Sequence, residues 1–207
     1  MEIIAHRGFW LKPEEKNLFS SLVRALDQGY GIETDIRDKE GKLVISHDMP
    51  IGEQLYLEEL FSYYHNNNCE SCLALNIKSD GLAEELMSLI TRFDIRNYFV
   101  FDMSVPDTLH YIKMQMNVYV RHSEVEVEPV LYDKTSGVWL DMFYDDWVTN
   151  KILNSHVSNN KGLCLVSPEL HRRAFEPFWQ KLRGFSGIDK LMLCTDYPDK
   201  AKDIFNE

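Results

Sequence analysis

Short apolar runs alternate along the chain with longer stretches in which apolar residues recur every three or four positions. The short runs are rich in β-branched and aromatic residues, which is typical of buried strands. They predict eight strands: Glu2–Ala5, Ile32–Ile36, Leu73–Lys78, Tyr98–Asp102, Asn117–Arg121, Gly137–Asp141, Gly162–Ser167 and Lys190–Thr195. After a turn at Asp38–Gly41, the apolar run Leu43–Ser46 predicts a short extension of the second strand.

The stretches with helical spacing predict seven helices between and after these strands. In the first of them, Leu18, Leu22, Ala25 and Leu26 form an apolar stripe. The predicted helices are Leu18–Gln28, Tyr56–Tyr64, Ser79–Phe93, Pro106–Met114, Asp146–Ser155, His171–Leu182 and Pro198–Phe205. The segment Ser123–Val130 alternates glutamate and valine, and it stays open between a loop and a short helix.

Alternation of strands and helices implies parallel pairing, and eight such units favour a closed α/β barrel, the (β/α)₈ or TIM barrel. The length is small for that fold, so we expect a compact barrel with short loops and a single domain over residues 1–207. The main competitor is an open, doubly wound sheet. That fold usually has a glycine-rich phosphate loop after its first strand, and this sequence has none there.

Composition narrows the function classes. The 207 residues are 44% hydrophobic, which suffices for one substantial core. The formal net charge of -11 argues against nucleic acid or an anionic membrane as the main partner, while a local basic pocket for a phosphate stays compatible. The N-terminus lacks the features of a signal peptide, and no run reaches the ~18 apolar residues of a membrane helix. We therefore expect a cytoplasmic protein without a membrane span.

Four cysteines are present, and two of them form a CxxC motif. Cys164 and Cys194 lie inside apolar strands and are expected to be buried thiols. Cys69 and Cys72 have the spacing of zinc or redox sites, but no second pair completes a zinc site, and the motif precedes a predicted strand. We expect a structural role for this pair as well.

A pair of carboxylates in the second predicted strand gives the strongest chemical signal. Glu33 and Asp35 are two positions apart, so both side chains point to the same side of a strand. Burial and mutual repulsion make this arrangement costly, and a divalent cation between them would relieve both costs. Oxygen ligands of this kind suit Mg²⁺ or Ca²⁺.

Other ionisable residues also follow apolar runs, at the strand ends where a barrel builds its active site. His6 and His47 form the natural acid–base pair, and Arg7 and Lys78 offer positive charge for a phosphoryl group. The candidates at the strand ends are His6, Arg7, Glu33, Asp35, His47, Asn76, Lys78, Asp102, Ser104, Arg121, Ser123, Trp139, Asp141, Ser167, Glu169, Thr195 and Asp196.

In these motifs the sequence resembles the glycerophosphodiester phosphodiesterase family, within the larger group of phosphatidylinositol phospholipase C-like barrels. The matches follow in order with similar spacing through about residue 80, and beyond it the resemblance rests on the strand–helix rhythm. The matching positions are His6-Arg7-Gly8 (HRG), Asn17 before the first helix, Glu33-Thr-Asp35 (ExD), His47-Asp48 (HD) and Lys78 after the third strand.

The resemblance implies a TIM barrel that cleaves a small phosphodiester with the help of one divalent cation. It implies hydrolysis through a cyclic phosphate where the substrate alcohol has a neighbouring hydroxyl. The implied roles are general acid and base for His6 and His47, Mg²⁺ or Ca²⁺ binding for Glu33, Asp35 and Asn76, and phosphate binding for Arg7 and Lys78. We add Arg121 and Trp139 as substrate ligands because of their position at strand ends.

Three departures from the family pattern matter. Asn76 stands where the family usually has a third metal-binding glutamate, so the site has less negative charge, and Asp102, Asp141 or Asp196 are candidates to compensate. No insertion follows the HD motif, which predicts an open pocket. The last strand ends without the family's common tryptophan, so substrate contacts on that side should differ.

Two other functions stay open. A metal-independent phosphodiester lyase would use Arg7 and Lys78 in place of the cation and release a cyclic phosphate. A non-catalytic barrel would only bind a phosphorylated ligand, although the pair of histidines argues against it. The substrate alcohol and the oligomeric state cannot be inferred from the sequence.

Overall fold

The computed structural model describes residues 1–185, 187 and 191–205. Within these residues the chain forms ten strands and seven α-helices, which mostly alternate along the chain. They group into two compact units, which we call the N-terminal unit (Ala5–Val118) and the C-terminal unit (Met1–Ile4 with Tyr119–Glu207). The predicted single domain over residues 1–207 stays a prediction.

The N-terminal unit is built on a mixed sheet. Its strands are β2 (Gly31–Lys39), β3 (Lys42–Ile45), β4 (Leu55–Tyr56), β5 (Leu73–Ile77) and β6 (Tyr98–Phe101), together with the end of β1 (Glu2–His6). Strand β2 pairs in parallel with β5, and β5 pairs in parallel with β6. All five residues of β5 are buried, as expected for a parallel strand that is covered on both faces.

Four amphipathic helices belong to this unit: α1 (Phe19–Asp27), α2 (Leu57–Asn66), α3 (Ala83–Arg92) and α4 (Val105–Lys113). The predicted stripe of α1 is largely confirmed, because Leu22, Ala25 and Leu26 are buried. Leu18 precedes the helix and is about half exposed. Helices α3 and α4 likewise follow their predicted ranges within a few residues.

In the C-terminal unit, strands β7 (Tyr119–His122), β8 (Gly137–Leu140), β9 (Gly162–Val166) and β10 (Leu191–Thr195) pair in this order, and β1 pairs with β10. Strand β7 pairs in parallel with β8, β8 with β9, and β9 with β10. The helices are α5 (Asn150–Ser158), α6 (Glu176–Arg183) and α7 (Pro198–Phe205). Lys190, where the last predicted strand begins, lies outside the described residues.

Three predicted elements need correction. Leu43–Ser46 is not an extension of the second strand, since β3 turns back and pairs antiparallel with β2. The predicted turn is shorter than Asp38–Gly41, because β2 continues through Lys39 and only Glu40 and Gly41 have positive φ, as in two-residue hairpins. The predicted helix from His171 begins only at Glu176 and is preceded by a 3-10 turn.

Cys164 and Cys194 are completely buried free thiols, as predicted, and Cys69 and Cys72 are also unbridged. Within the described ranges, none of the helices combines the length and the apolar composition that crossing a bilayer requires.

Candidate active site

Strands β2 and β5 bring the three predicted cation ligands together inside the N-terminal unit. The parallel register sets Asp35 beside Asn76, and Glu33 lies two residues before Asp35 on the same side of β2. Asn76 Nδ2 donates a hydrogen bond to Glu33 Oε1 at 3.1 Å. Glu33 and Asp35 are essentially inaccessible to solvent, and Asn76 is also buried.

Each of these three side chains has one buried oxygen to which no described residue donates a hydrogen bond: Glu33 Oε2, Asp35 Oδ1 and Asn76 Oδ1. A buried acceptor without a donor costs free energy, and three of them on adjacent side chains require a common explanation. Two carboxylate oxygens and one amide oxygen are ligands that Mg²⁺ or Ca²⁺ accepts. The donor set therefore fits a hard divalent cation. Among the described residues no group of three or more His, Cys, Asp or Glu side chains could hold a metal ion, and this donor set instead combines two carboxylates with an amide.

Two cationic side chains contact the same carboxylate. Arg7 Nε lies 3.0 Å from Asp35 Oδ2, and Lys78 Nζ lies 3.4 Å from Asp35 Oδ1. Lys78 Nζ is also 3.9 Å from Asp102 Oδ2. Both cationic side chains remain about one fifth exposed, whereas Asp35 is buried. Arg7 and Lys78 can therefore present positive charge to an anion arriving from solvent.

The buried environment disfavours the ionised form of Glu33. Burial, and then the charge of Asp35, raise the pKa of Glu33, although His6, Arg7 and Lys78 act in the opposite direction. His6 Nε2 lies 3.9 Å from Glu33 Oε2, the oxygen to which none of the described residues donates. The structure thus places His6 beside the predicted cation ligands.

The turn after β1 explains how the HRG motif holds Arg7 at this site. Arg7 and Gly8 both have positive φ, and a Cβ at Gly8 would lie 2.7 Å from the backbone carbon of Ser21. Glycine is therefore required at this position. Arg7 N donates to the carbonyl of Glu33 at 2.9 Å, and Asn17 N donates to the carbonyl of Arg7 at 2.9 Å. These bonds tie the turn to β2 and to the segment before α1.

His47 follows β3 and is about half exposed. Its Nδ1 lies 3.0 Å from Asp48 Oδ1, and Arg37 Nε donates to its backbone carbonyl at 3.1 Å. His47 and Arg7 line the same cleft of about 280 Å³, together with Asn17 and other residues. This cleft links the second histidine to a predicted phosphate ligand.

Arg121 and Trp139 belong to the C-terminal unit. Arg121 Nε lies 3.5 Å from Glu126 Oε2 and 3.7 Å from Asp141 Oδ2, and Trp139 is buried at the end of β8. Asp141 Oδ1 accepts a hydrogen bond from His171 Nε2 at 2.6 Å. As substrate ligands, Arg121 and Trp139 stay predictions.

Other predicted candidates of the C-terminal unit form a closed hydrogen-bond network. Glu169 accepts bonds from the hydroxyls of Ser167 and Thr195 and, at 3.1 Å, from the backbone N–H of Asp196. Ser167 Oγ in turn accepts from Trp179 Nε1 at 2.8 Å. Burial raises the pKa of Glu169, and the hydrogen bonds from Ser167, Thr195 and backbone N–H groups act in the opposite direction. This network fits a structural role.

Two contacts were missed at the sequence level. His171 was assigned to the start of an α-helix, whereas it ends a 3-10 turn (Pro168–His171) and binds the buried carboxylate of Asp141. The side chain of Thr34 was not considered, yet it donates to Asn17 Oδ1 at 2.8 Å. In the sequence, this contact was indicated only by the position of a hydroxyl residue between Glu33 and Asp35.

Comparison with known proteins addresses the fold. No protein-family model matches the sequence, and no curated protein matches it. Several solved structures are similar to the whole chain. A glycerophosphodiester phosphodiesterase from Agrobacterium tumefaciens str. C58 has a TM-score of 0.71 and 15% identity, and the match covers 100% of both chains.

A glycerophosphoryl diester phosphodiesterase from Parabacteroides distasonis ATCC 8503 has a TM-score of 0.70 and 13% identity, covering 99% of this chain and 86% of the other. The fold is that of the glycerophosphodiester phosphodiesterases. A Ca²⁺-dependent phosphatidylinositol-specific phospholipase C from Streptomyces antibioticus is also similar, with a TM-score of 0.62, 11% identity and coverage of 98% and 95%. The predicted TIM-barrel-type fold is thereby confirmed.

Proposed function

We propose that this chain is a metal-dependent phosphoric diester hydrolase that acts on a small polar phosphodiester of the glycerophosphodiester or sugar-phosphodiester type. One observation carries the proposal. Three buried oxygens on adjacent side chains receive no hydrogen bond from the residues that the structure describes, and two partly exposed cationic groups contact one of these side chains. The fold shared with phosphodiesterases supports the same reaction class.

Glu33, Asp35 and Asn76 would hold one Mg²⁺ or Ca²⁺, which when bound supplies positive charge to the phosphoryl group. The similarity to a Ca²⁺-dependent phospholipase C supports a divalent cation without deciding between the two. Arg7 and Lys78 would bind the phosphate oxygens, since each keeps an exposed portion while it pairs with Asp35.

His6 and His47 would divide the proton transfers. One histidine removes the proton from the attacking hydroxyl, either water or a neighbouring hydroxyl of the substrate, and the other protonates the departing alkoxide. With a neighbouring hydroxyl the first product is a cyclic phosphate, and the two histidines exchange roles when water opens the ring. If the substrate is a glycerophosphodiester, the reaction belongs to lipid metabolism; this, like a cytoplasmic location, is an expectation.

Phosphorus NMR of the purified protein with glycerophosphodiesters tests the proposal. A phosphomonoester should form with Mg²⁺ or Ca²⁺ and not with EDTA. His6→Ala and His47→Ala should each abolish turnover, while His110→Ala, which changes an exposed histidine of α4, should not. Turnover that persists in both histidine variants would contradict the assigned acid–base pair.

A metal-independent lyase is the second candidate, and one observation favours it. Asn76 adds no negative charge, while Arg7 and Lys78 both contact Asp35, so the site already contains its own cations. A cyclic phosphate that accumulates in EDTA would support the lyase. Binding of a phosphorylated ligand without turnover across a panel of phosphodiesters would instead support a non-catalytic protein.

A further inference from the structure

The side-chain amide of Asn17 connects the residue between the two carboxylates to one of the carboxylates. Thr34 Oγ1 donates to Asn17 Oδ1 at 2.8 Å, and Asn17 Nδ2 donates to Asp35 Oδ2 at 2.8 Å. Thr34 and Asp35 point to opposite sides of β2, so Asn17 contacts both sides of the same strand. Thr34 is completely buried.

Chemistry fixes the direction of this chain of hydrogen bonds. An ionised carboxylate only accepts, so the amide nitrogen must face Asp35 and the amide oxygen must face Thr34. The backbone of Asn17 is held independently, because it has a φ of 62° and its N–H donates to the carbonyl of Arg7. Rotation of the side chain is the freedom that remains, and the hydroxyl of Thr34 opposes it.

The orientation of Asn17 matters for the oxygens of Asp35. Oδ2 receives Asn17 Nδ2 and lies 3.0 Å from Arg7 Nε. Oδ1 receives no hydrogen bond from the described residues, and its charged neighbour is Lys78 Nζ at 3.4 Å. Because the neighbours of Oδ2 fix the carboxylate plane, they determine which oxygen stays available to a cation.

We propose that Thr34 is a positioning residue: through Asn17 it orients Asp35 so that Oδ1 is available to a divalent cation. The inference rests on the proposed function, because it assigns Asp35 to the cation site. Residues that orient metal ligands typically change metal affinity by about 10–100-fold when they are replaced. The hydroxyl of Thr34 donates to Asn17 Oδ1, so its effect on Asp35 would act through Asn17.

Calorimetric titration of the full chain with Ca²⁺ tests this role without an activity readout. Thr34→Val, which keeps the shape and removes the hydroxyl, should weaken Ca²⁺ binding about tenfold. Thr34→Ser, which keeps the hydroxyl, should bind Ca²⁺ within about threefold of the original protein, since the donor to Asn17 is retained. An unchanged Ca²⁺ affinity in Thr34→Val would overturn the proposal.

Thr108→Val is the matched control. Thr108 is a buried threonine of the same unit, and its hydroxyl donates to the carbonyl of Ser104 at 2.8 Å, far along the chain from Asn17. Both valine variants lose one buried hydroxyl bond, so thermal melting should show similar destabilisation. Only Thr34→Val should lose Ca²⁺ affinity. If Thr34→Val and Thr108→Val lost Ca²⁺ affinity equally, general destabilisation would explain the effect. That result would overturn the specific role of Thr34.

A second measurement separates this inference from the proposed function. If the original protein binds neither Ca²⁺ nor Mg²⁺, the cation site itself is wrong. The side-chain amide resonances of Asn17 in the metal-free protein then decide about Thr34. They should shift in Thr34→Val and stay in place in Thr34→Ser and Thr108→Val; resonances that do not move in Thr34→Val would refute the positioning role.

Discussion

Buried carboxylates in the two units have contrasting surroundings. In the N-terminal unit, Glu33 and Asp35 each keep one buried oxygen to which none of the described residues donates. In the C-terminal unit, Glu169 accepts three hydrogen bonds, and Asp141 accepts from His171 and from the backbone of Met142. Burial alone does not separate the two cases, because Asp141 is about as inaccessible as Glu33 and Asp35, while Glu169 is partly buried.

The difference lies in whether the protein supplies enough donors. A buried carboxylate that accepts enough hydrogen bonds from the folded protein needs no further ligand. A carboxylate that lacks them is stabilised further by a ligand that contributes positive charge. The contrast therefore favours a structural role for Glu169 and supports the proposed ligand-binding role of Glu33.

The largest expected effect is the loss of cation binding in Glu33→Gln. The amide still accepts from Asn76, but the site loses half of its carboxylate charge, so Ca²⁺ affinity should fall at least about 100-fold, beyond the range for orienting residues. Turnover should disappear with it. Glu84→Gln, which changes an exposed glutamate of α3, is the control for calorimetry and phosphorus NMR. Normal Ca²⁺ binding by Glu33→Gln would place the cation elsewhere.

In EDTA, replacing Glu33 in the N-terminal unit and Glu169 in the C-terminal unit by glutamine should change the free energy of unfolding differently. Glu33→Gln removes a buried charge that burial and Asp35 disfavour, so its free energy of unfolding should equal or exceed that of the original protein. Glu169→Gln replaces an acceptor by an amide group among three donors and should lose about 1–3 kcal/mol. Urea denaturation measures both changes. Equal destabilisation of both variants would contradict the inferred difference between the surroundings of Glu33 and Glu169.

The third prediction concerns the effect of pH on the C-terminal unit. His156 is buried between His122 Nδ1 at 3.0 Å and Tyr132 Oη at 2.8 Å. Burial, followed by the charges of His122 and Lys161, lowers the pKa of His156 from 6.5 to about 4.

The unfolded chain takes up a proton on His156 near its ordinary pKa, whereas the folded protein resists protonation until about pH 4. The free energy of unfolding should therefore decrease as the pH falls from 6.5 to about 4, by up to about 3 kcal/mol. His156→Gln should flatten this dependence in denaturation experiments, and His110→Ala should not. An equally steep dependence in His156→Gln would assign the effect to other groups.

Local geometry explains what the sequence could predict about the candidate site. Residues two apart in a strand share a side, so the convergence of Glu33 and Asp35 followed from the sequence alone. The pairing of Asp35 with Asn76 depends on the register of two strands that are about forty residues apart, and only the resemblance to a known family suggested it. The contacts of Arg7 and Lys78 with one carboxylate arise from the same tertiary arrangement.

The C-terminal unit illustrates the limit of such predictions. Helical spacing after β9 predicted a helix from His171, but Arg172 adopts a left-handed backbone conformation and α6 begins four residues later. The competing interaction is the bond from His171 to Asp141, which lies thirty residues earlier in the chain. A local pattern contains no information about such a partner.

The hairpin between β2 and β3 makes the position of His47 sensitive to insertions and deletions. Glu40 and Gly41 close the hairpin, and the ladder from there sets Ile45 opposite Ile36. Because faces alternate along a strand, one added residue in this turn would shift the register and exchange the faces of β3 up to His47. Sequence libraries that vary the length of this two-residue turn would thus displace a predicted catalytic histidine without altering any residue of the site.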